Sequence, residues 1–433
     1  MTSQETAVMD LSQKDFFNDR DVLLDPYAYF EAIREGGPVF RMPMRDVVIV
    51  TGHKEGAEVL LNTTDFSSIV NPEPLAPLSF VPEGDDISEQ IANAKAPNPA
   101  LELLVTYDGE RHTAARSLLN PLFVPSRLKA NEEFMRGFAD ATVREVVANG
   151  SCELINEVAT PYVTLVVADL LGVPEDDRQK FRDVIDAGPP PGNMDTADAE
   201  AGAPQGSQAL MFMAGFFFQY LSDRRANPQG DIMTELALGR YPDGTLPDIG
   251  EAVKSAMFLF AAGQDTSAKL LGNAMRFLCE RQDLQQQLRE DRSLIPAFLE
   301  EVMRLEGSTK ATFRLSKRRT KIGDVEIPAG QRVVIALPAA NRDPRRWDDP
   351  AEFRMGRPRI KEHLGFGRGA HTCVGAPLAR VEVAVIFDRF LEHTKAIRLS
   401  EAHHGPAGAR RIDYEASFII RGLAELFVEF DPA

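Results

Sequence analysis

The stretch HLGFGRGAHTCVGAPLAR, residues 363–380, decides how the rest of this sequence is interpreted. It places Cys373 between a glycine-rich turn and the start of an apolar helix pattern. The helix dipole and the free N–H groups at a helix start stabilise a thiolate. Gly367, Gly369 and Gly375 let the backbone turn tightly against a flat object. The residues therefore predict a thiolate metal ligand. A buried structural cysteine is the alternative, and a zinc site lacks a second soft ligand nearby.

Residues 366–375 resemble the haem-binding loop of the cytochrome P450 family, with its Phe, Gly, Gly, His, Cys and Gly positions all filled. The following residues, APLARVE, continue the similarity to soluble bacterial members. The resemblance implies haem b (iron protoporphyrin IX) with Cys373 as axial ligand and metal-binding residue. It also implies that His371 bonds a haem propionate and that Phe366 shields the sulfur.

A Glu-x-x-Arg pattern at Glu301 and Arg304 is similar to another motif of the family. The same spacing at Glu133 and Arg136 predicts only a solvated pair on a helix face. Glu301 differs because it lies on an apolar helix upstream of the cysteine loop. With Arg357 it is expected to form a buried structural cluster that holds the loop.

His112 and Arg116 are spaced to share one helix face, where two surface side chains are the simplest interpretation. Haem carries two propionates that need cationic partners. By the resemblance, His112 and Arg116 bind those propionates, and Arg314 is a further propionate ligand.

Asp265 and Thr266 lie inside the longest apolar helix pattern, residues 252–278, where polar groups are costly. Gly263 weakens the helix and favours a kink, at which the Thr266 hydroxyl can point away from its own backbone. A bent or capped helix is the alternative. By the resemblance, Asp265 and Thr266 are the catalytic acid–alcohol pair above haem, delivering protons during dioxygen activation.

The expected substrate pocket is almost wholly apolar, which predicts a hydrophobic substrate such as a terpenoid, steroid, macrolide or aromatic compound. Its predicted side chains are Phe258, Ala261, Ala262, Ala311, Thr312, Phe418 and Ile419. The proline-rich stretch 71–99 is predicted to be a long loop over this pocket. Residues 186–207 are predicted to be a mobile loop between two helices.

The predicted fold class is mainly α with minor β, in the cytochrome P450 fold, with a long central helix over haem. Residues 1–433 are expected to form a single domain, with a polar, flexible segment over residues 1–20. A hairpin is predicted over residues 325–337 and a strand-like run over residues 417–430. Val383, Ile386, Phe387 and Phe390 follow a helical spacing that predicts one buried face.

Composition limits the possible partners. The chain has 48 Lys and Arg against 65 Asp and Glu, a net charge of −17, which disfavours nucleic acid and anionic membranes. Its three cysteines are far apart and predict no disulfide framework. The N-terminal residues show no signal peptide or anchor. We therefore expect a cytoplasmic bacterial monomer.

The expected activity is that of a haem-thiolate monooxygenase, which inserts one oxygen atom of O₂ into its substrate. Electrons from NAD(P)H are expected through a ferredoxin reductase and an acidic iron–sulfur ferredoxin. The expected docking cations are Arg116, Arg127, Lys129, Arg354, Arg357, Arg359, Lys361 and Arg368. The alternatives are a hydrogen peroxide-driven peroxygenase of the same fold and a non-catalytic haem-thiolate sensor or binding protein. The intact Asp265–Thr266 pair argues against both.

Overall fold

Helices carry most of the chain in the computed structural model, which describes residues 10–71, 73–94, 102–186 and 199–433. The helices are α1 (Arg20–Leu24), α2 (Tyr27–Glu35), α3 (His53–Leu61), α4 (Ser88–Ala92), α5 (Gly109–Leu119), α6 (Pro125–Asn149), α7 (Thr160–Leu171), α8 (Glu175–Asp186), α9 (Ala199–Ala226), α10 (Ile232–Ala237), α11 (Ile249–Glu280), α12 (Gln282–Glu290), α13 (Ile295–Glu306), α14 (Leu337–Ala340), α15 (Ala376–His393) and α16 (Glu401–His404).

The strands form three small sheets. They are β1 (Val39–Arg41), β2 (Val47–Val50), β3 (Phe66–Ser67), β4 (Ser151–Glu153), β5 (Ala311–Ser316), β6 (Thr320–Ile322), β7 (Val325–Ile327), β8 (Arg332–Ala336), β9 (Thr394–Leu399) and β10 (Phe427–Pro432). The largest sheet has the order β1-β2-β8-β5-β3, with β2 and β8 parallel and the other pairs antiparallel. The others are β4-β10-β9 and β6-β7.

The helix α11 is the central element, as predicted. It begins after Asp248, whose side chain accepts a hydrogen bond from the Gly250 N–H. Beyond Ser267 its side chains are buried on almost every side, and it packs against α7, α9 and α13. An apolar surface of this width suits only a helix surrounded by other elements.

The helix α15 joins the cysteine loop to the core. Val383, Ile386, Phe387 and Phe390 are all fully buried, which confirms the predicted face, and α15 packs against α6 and α13. Within the described ranges, Gly369–His393 is the one stretch long and apolar enough to cross a membrane, judged by length and composition alone. Its packing in the core accounts for that apolar character.

Three local predictions are wrong. Residues 325–337 form no hairpin, because β7 pairs with β6 whereas β8 pairs with β2 and β5. Residues 199–207, expected to be loop, belong to α9, and residues 187–198 lie outside the described chain. Only the end of the run 417–430 is strand, since β10 begins at Phe427.

The two segments expected to be flexible or irregular differ from prediction in part. Residues 10–20 are anchored, because Phe16 and Phe17 are 1% and 2% exposed in a core cluster. Residues 1–9 lie outside the described chain. The stretch 71–99 is mostly irregular, as expected, but contains α4; residue 72 and residues 95–99 are not described.

Candidate functional site

A cavity lies between α11, the cysteine loop, α5 and β5. It holds about 1320 Å³ of space free of protein atoms, counting open solvent at its mouth. Its wall contains Cys373 and, on α11, Phe258, Ala262 and Thr266. The elements predicted from separate motifs therefore meet around one space.

Backbone hydrogen bonds shape the loop around Cys373. The Cys373 N–H donates to the Phe366 carbonyl at 2.8 Å. Gly367 and Gly369 have φ angles of +67° and +72°, in the left-handed region that favours glycine. A Cβ atom on Gly369 would lie 2.8 Å from the Leu60 carbonyl oxygen, so the loop packs directly against the end of α3.

Cys373 lies three residues before α15 begins, and its thiol faces the cavity. The exposed surface of the residue is the part that lines this cavity. Burial raises the pKa of this thiol. The backbone N–H groups of Gly375 and Ala376 and the guanidinium groups of Arg116 and Arg380 lower it. These groups therefore favour the thiolate, as expected for N–H groups at a helix start.

Four basic side chains lie close together in the cavity wall: His112, Arg116, Arg314 and His371. The ring centroids of His112 and His371 are 4.1 Å apart. Burial, followed by the charges of Arg314, His112 and Arg116, lowers the pKa of His371 to about 3. Burial lowers the pKa of Arg314 to about 10. Burial and the repulsion between these side chains therefore disfavour positive charge on each of them.

This arrangement fits a ligand that carries carboxylates and a metal. The His112 Nε2 atom is buried and has no hydrogen-bond partner within the described ranges. Burial, then Arg116, lowers the pKa of His112, and an anion would reverse the effect of that neighbouring charge. A thiol opens onto the same cavity. The donor set therefore suits haem, held through sulfur on its iron and through bases on its propionates.

The helix α11 supplies the opposite wall. The Thr266 hydroxyl donates to the Ala262 carbonyl at 2.9 Å, so the expectation that it points away from its own backbone is wrong. The helix continues through Gly263 without interruption. This bond uses the hydroxyl proton and leaves the oxygen free to accept a hydrogen bond. Asp265 is half-buried and is not part of the cavity wall.

The predicted pocket residues divide into two groups. Phe258, Ala262 and Thr312 line the cavity. Side chains outside the wall, contrary to prediction, are those of Ala261, Ala311, Phe418 and Ile419. Ala261 is exposed, on another face of α11 from the cavity.

Strand alternation explains why Ala311 does not line the cavity. Successive side chains of a strand point to opposite faces. On β5, Thr312 and Arg314 face the cavity, whereas Ala311 and Phe313 enter a core cluster with Phe418, against which Ile419 packs.

Glu382 on α15 is a cavity residue that the sequence interpretation missed. It is 1% exposed, and its Oε2 atom has no hydrogen-bond partner within the described part of the chain. Burial raises the pKa of Glu382 to about 7, and a hydrogen bond with Ser267 offsets this only in part. The available signal was position, because Glu382 lies four residues before Ile386, on the buried face of the helix.

The predicted Glu301 cluster is confirmed. Arg304 donates to both Glu301 oxygens, at 2.7 and 2.9 Å, and Arg357 donates to Oε1 at 2.9 Å. Arg304 also donates to the carbonyls of residues 341, 350 and 352, which lie upstream of the cysteine loop. The expected pair of Glu133 and Arg136 is wrong, because Arg136 binds Glu132 and Asp388 at the surface.

The predicted basic face is smaller than expected. Two of its cations are internal, since Arg357 belongs to the Glu301 cluster and Arg116 lines the cavity. The cations held in ion pairs are Arg127, Arg354 and Arg359. Those without an ion pair among the described residues are Lys129, Lys361 and Arg368.

Comparisons with known proteins agree with this geometry. The family model described as Cytochrome P450 matches residues 222–397. Cytochrome P450 144 of Mycobacterium tuberculosis is 30% identical over 87% of this chain and 84% of its own length. The substrate-free structure of Mycobacterium marinum cytochrome P450 CYP150A6 is 45% identical and covers 98% of this chain and 100% of its own, with a TM-score of 0.89. Bacillus megaterium CYP109E1 in complex with testosterone is 25% identical, covering 94% and 99%, with a TM-score of 0.77.

Proposed function

Because this chain belongs to the cytochrome P450 family and is a haem-thiolate monooxygenase, we propose that it hydroxylates a hydrophobic small molecule with electrons from a separate ferredoxin system. The observation that carries the proposal is the cavity itself. It has a thiol on one wall, a largely apolar helix with the hydroxyls of Thr266 and Ser267 on the other, and four bases between them. Bound haem supplies the activation of dioxygen.

The chain's own residues hold that cofactor. Cys373 is the iron ligand, and Phe366, whose carbonyl accepts the Cys373 N–H, shields the sulfur. The propionates are bound by His112, Arg116, Arg314 and His371. The unpartnered Nε2 atom of His112, among the described residues, and the mutual repulsion of the four bases support this assignment.

Proton delivery belongs to α11. The Thr266 oxygen lies in the cavity wall as an acceptor, so it positions a water whose proton can be passed inward. Asp265, one residue earlier and outside the wall, collects protons from outside the cavity. The burial of Gln264 and Ser267 beside it on α11 supports a functional reason for a carboxylate at this position.

The proposed substrate class rests on the apolar part of the cavity wall. Apolar side chains dominate there, among them Leu104, Val105, Val167, Phe258 and Leu259. Such a wall suits a terpenoid, steroid, macrolide or aromatic compound. That CYP109E1 was solved with testosterone supports a steroid-sized apolar substrate.

Electrons come from NAD(P)H through a ferredoxin reductase and an acidic ferredoxin. The ferredoxin docks near Lys361 and Arg368, next to the cysteine loop. The protein works as a cytoplasmic, single-domain monomer without nucleic acid or membrane. The packing of α15 in the core supports the absence of an anchor there.

The ligand assignment is tested by replacing each cysteine in turn. The wild-type protein, reduced under carbon monoxide, is expected to show the red-shifted Soret band of thiolate ligation. Cys373→Ala should abolish the band. Cys152→Ala and Cys279→Ala should keep it, because burial raises the pKa of both thiols and neither lines the cavity. Loss of the band in either control instead would refute the assignment.

The reaction is tested by the product formed per NAD(P)H consumed. Asp265→Asn should slow turnover by roughly 10²–10⁴-fold, as for a lost general acid. Thr266→Ala should keep electron flow but release more hydrogen peroxide. A peroxygenase would be insensitive to both changes when driven by peroxide, and a sensor would form no product.

A further inference from the structure

Three side chains on the cysteine side of the cavity have no assigned contact with haem or substrate in the proposed function. Glu300 on α13 is 7% exposed, next to the Glu301 cluster but outside it. It accepts hydrogen bonds from His363 Nε2 at 3.1 Å and from the Arg380 guanidinium, which binds both its oxygens. We call Glu300, His363 and Arg380 the proximal triad.

Two hydrogen bonds fix the orientation of the His363 ring. Its Nδ1 atom accepts a hydrogen bond from the Gly365 N–H at 3.1 Å, so Nε2 carries the proton and donates to Glu300. The ring is 4% exposed. Burial alone would raise the pKa of Glu300, but the hydrogen bonds from His363 and Arg380 hold it at about 2. The triad therefore contains a carboxylate held between an imidazole and a guanidinium.

Arg380 places the positive charge of the triad next to the cysteine loop. Its guanidinium carbon lies 4.4 Å from the centroid of the Phe366 ring, and the His363 ring lies 5.9 Å from the same centroid. The Phe366 carbonyl accepts the Cys373 N–H at 2.8 Å. The Arg380 side chain is 40% exposed, but its two bonds to Glu300 hold its charge over the Phe366 ring, whose residue is hydrogen-bonded to the proposed ligand.

We infer that Glu300 and His363 are positioning residues that hold the Arg380 charge beside the Cys373 thiolate and so set the reduction potential of the haem. The inference rests on the proposed ligation by Cys373. Reduction of the iron adds one negative charge to the site. A fixed cation nearby favours the reduced state and an unpaired carboxylate disfavours it.

The charges of Arg380 and Glu300 predict that their removal shifts the midpoint potential of the haem in opposite directions. Arg380→Gln removes the cation and leaves Glu300 ionised, so the midpoint potential should become more negative. Glu300→Gln keeps an acceptor for His363 but leaves Arg380 uncompensated, so the potential should become more positive. Arg380→Lys keeps the charge without the planar fork and should fall between wild type and Arg380→Gln.

The experiment is spectroelectrochemical titration of the haem-loaded variants. Arg389→Gln is the matched control, because Arg389 also lies on α15 and also pairs with carboxylates, about 14 Å further along the helix. It should leave the potential unchanged. Shifts of the same sign in Arg380→Gln and Glu300→Gln, or none in either, would overturn the inference, as would Arg380→Lys matching Arg380→Gln.

The carbon monoxide spectrum separates the two possible failures. If the wild type lacks the band of thiolate ligation, Cys373 is not the ligand and the proposed function fails together with this inference. If every variant keeps the band while the potentials do not follow the charges, only the role of the proximal triad is refuted.

Discussion

Two buried carboxylates on packed helices meet opposite environments. Glu301 receives two guanidinium groups and the backbone N–H of Arg354, so its burial is fully compensated. Glu382 has one partner, Ser267, and a second oxygen without any in the described chain. The first is a fixed anion that organises structure. The second is a carboxyl that holds its proton at near-neutral pH.

Removing the charge of Glu301 should be severe. Glu301→Gln leaves Arg304 and Arg357 buried without their counter-charge, and breaking a buried pair typically costs about 3–5 kcal/mol. Denaturant unfolding and haem content measure the effect. Glu133→Gln, in the same Glu-x-x-Arg spacing at the surface, should stay within about 0.5 kcal/mol of wild type. Equal losses in both variants would contradict this account.

The raised pKa of Glu382 predicts that the free energy of unfolding depends on pH. Its folded pKa of about 7 lies above the ordinary 4.5, so its contribution is fully present below pH 4.5 and is lost as the pH rises through 7. Glu382→Gln cannot ionise, and it should gain up to roughly 3 kcal/mol relative to wild type between pH 4.5 and pH 8. Thermal unfolding across this range tests it. A stability difference that is flat with pH would mean that Glu382 ionises normally.

Among the elements, local patterns predicted helices better than sheets. The apolar periodicity of α11, α13 and α15 is visible in the sequence because residues on one face of a helix recur at a fixed spacing. The sequence does not show in the same way which strands pair with each other. β8 pairs with β2, far away in sequence, so its closeness to β7 suggested a hairpin that does not exist. Residues 199–207 were predicted to be loop because Gly202, Pro204 and Gly206 are residues typical of loops, yet they belong to α9.

A buried glutamine offers a test of how α12 is attached to the sheet. The Gln285 amide donates to the Ile397 carbonyl at 2.7 Å and accepts the Ile397 N–H at 3.0 Å, covering the free edge of β9. Gln285→Ala leaves the Ile397 N–H without this partner, while Gln282 still donates to the Ile397 carbonyl, and should cost about 1–3 kcal/mol. Gln286→Ala removes an exposed neighbour and should cost under about 0.5 kcal/mol. Chemical denaturation compares them, and similar costs would disprove the role of Gln285.

Across the whole molecule, the candidate site was predictable where a motif gives a residue a fixed place. Cys373, His371 and Thr266 lie in the cavity wall as expected. Prediction failed where the direction of a side chain depends on packing, as for Ala311 on β5. It also missed polar groups that only tertiary contact makes unusual, such as Glu382 and the proximal triad.

The overall charge of −17 and the few uncompensated cations near the loop make a prediction about electron transfer. Lys361→Glu should slow reduction by an acidic ferredoxin several-fold at low ionic strength, because rim charges act on association rate. Lys395→Glu is the control, since Lys395 lies beyond the far end of α15, about 27 Å from its start. Stopped-flow reduction at several salt concentrations measures both. Equal slowing would place the docking face elsewhere.

The cavity wall draws on residues from Leu60 to Glu382, with the bases of α5 early in the chain and the thiol late. During translation, Arg116 precedes Cys373 by roughly 13–50 s at about 5–20 residues per second. The nascent chain therefore carries an incomplete binding site until Cys373 has been added. Without haem, the thiol and the four bases would line an open central cavity.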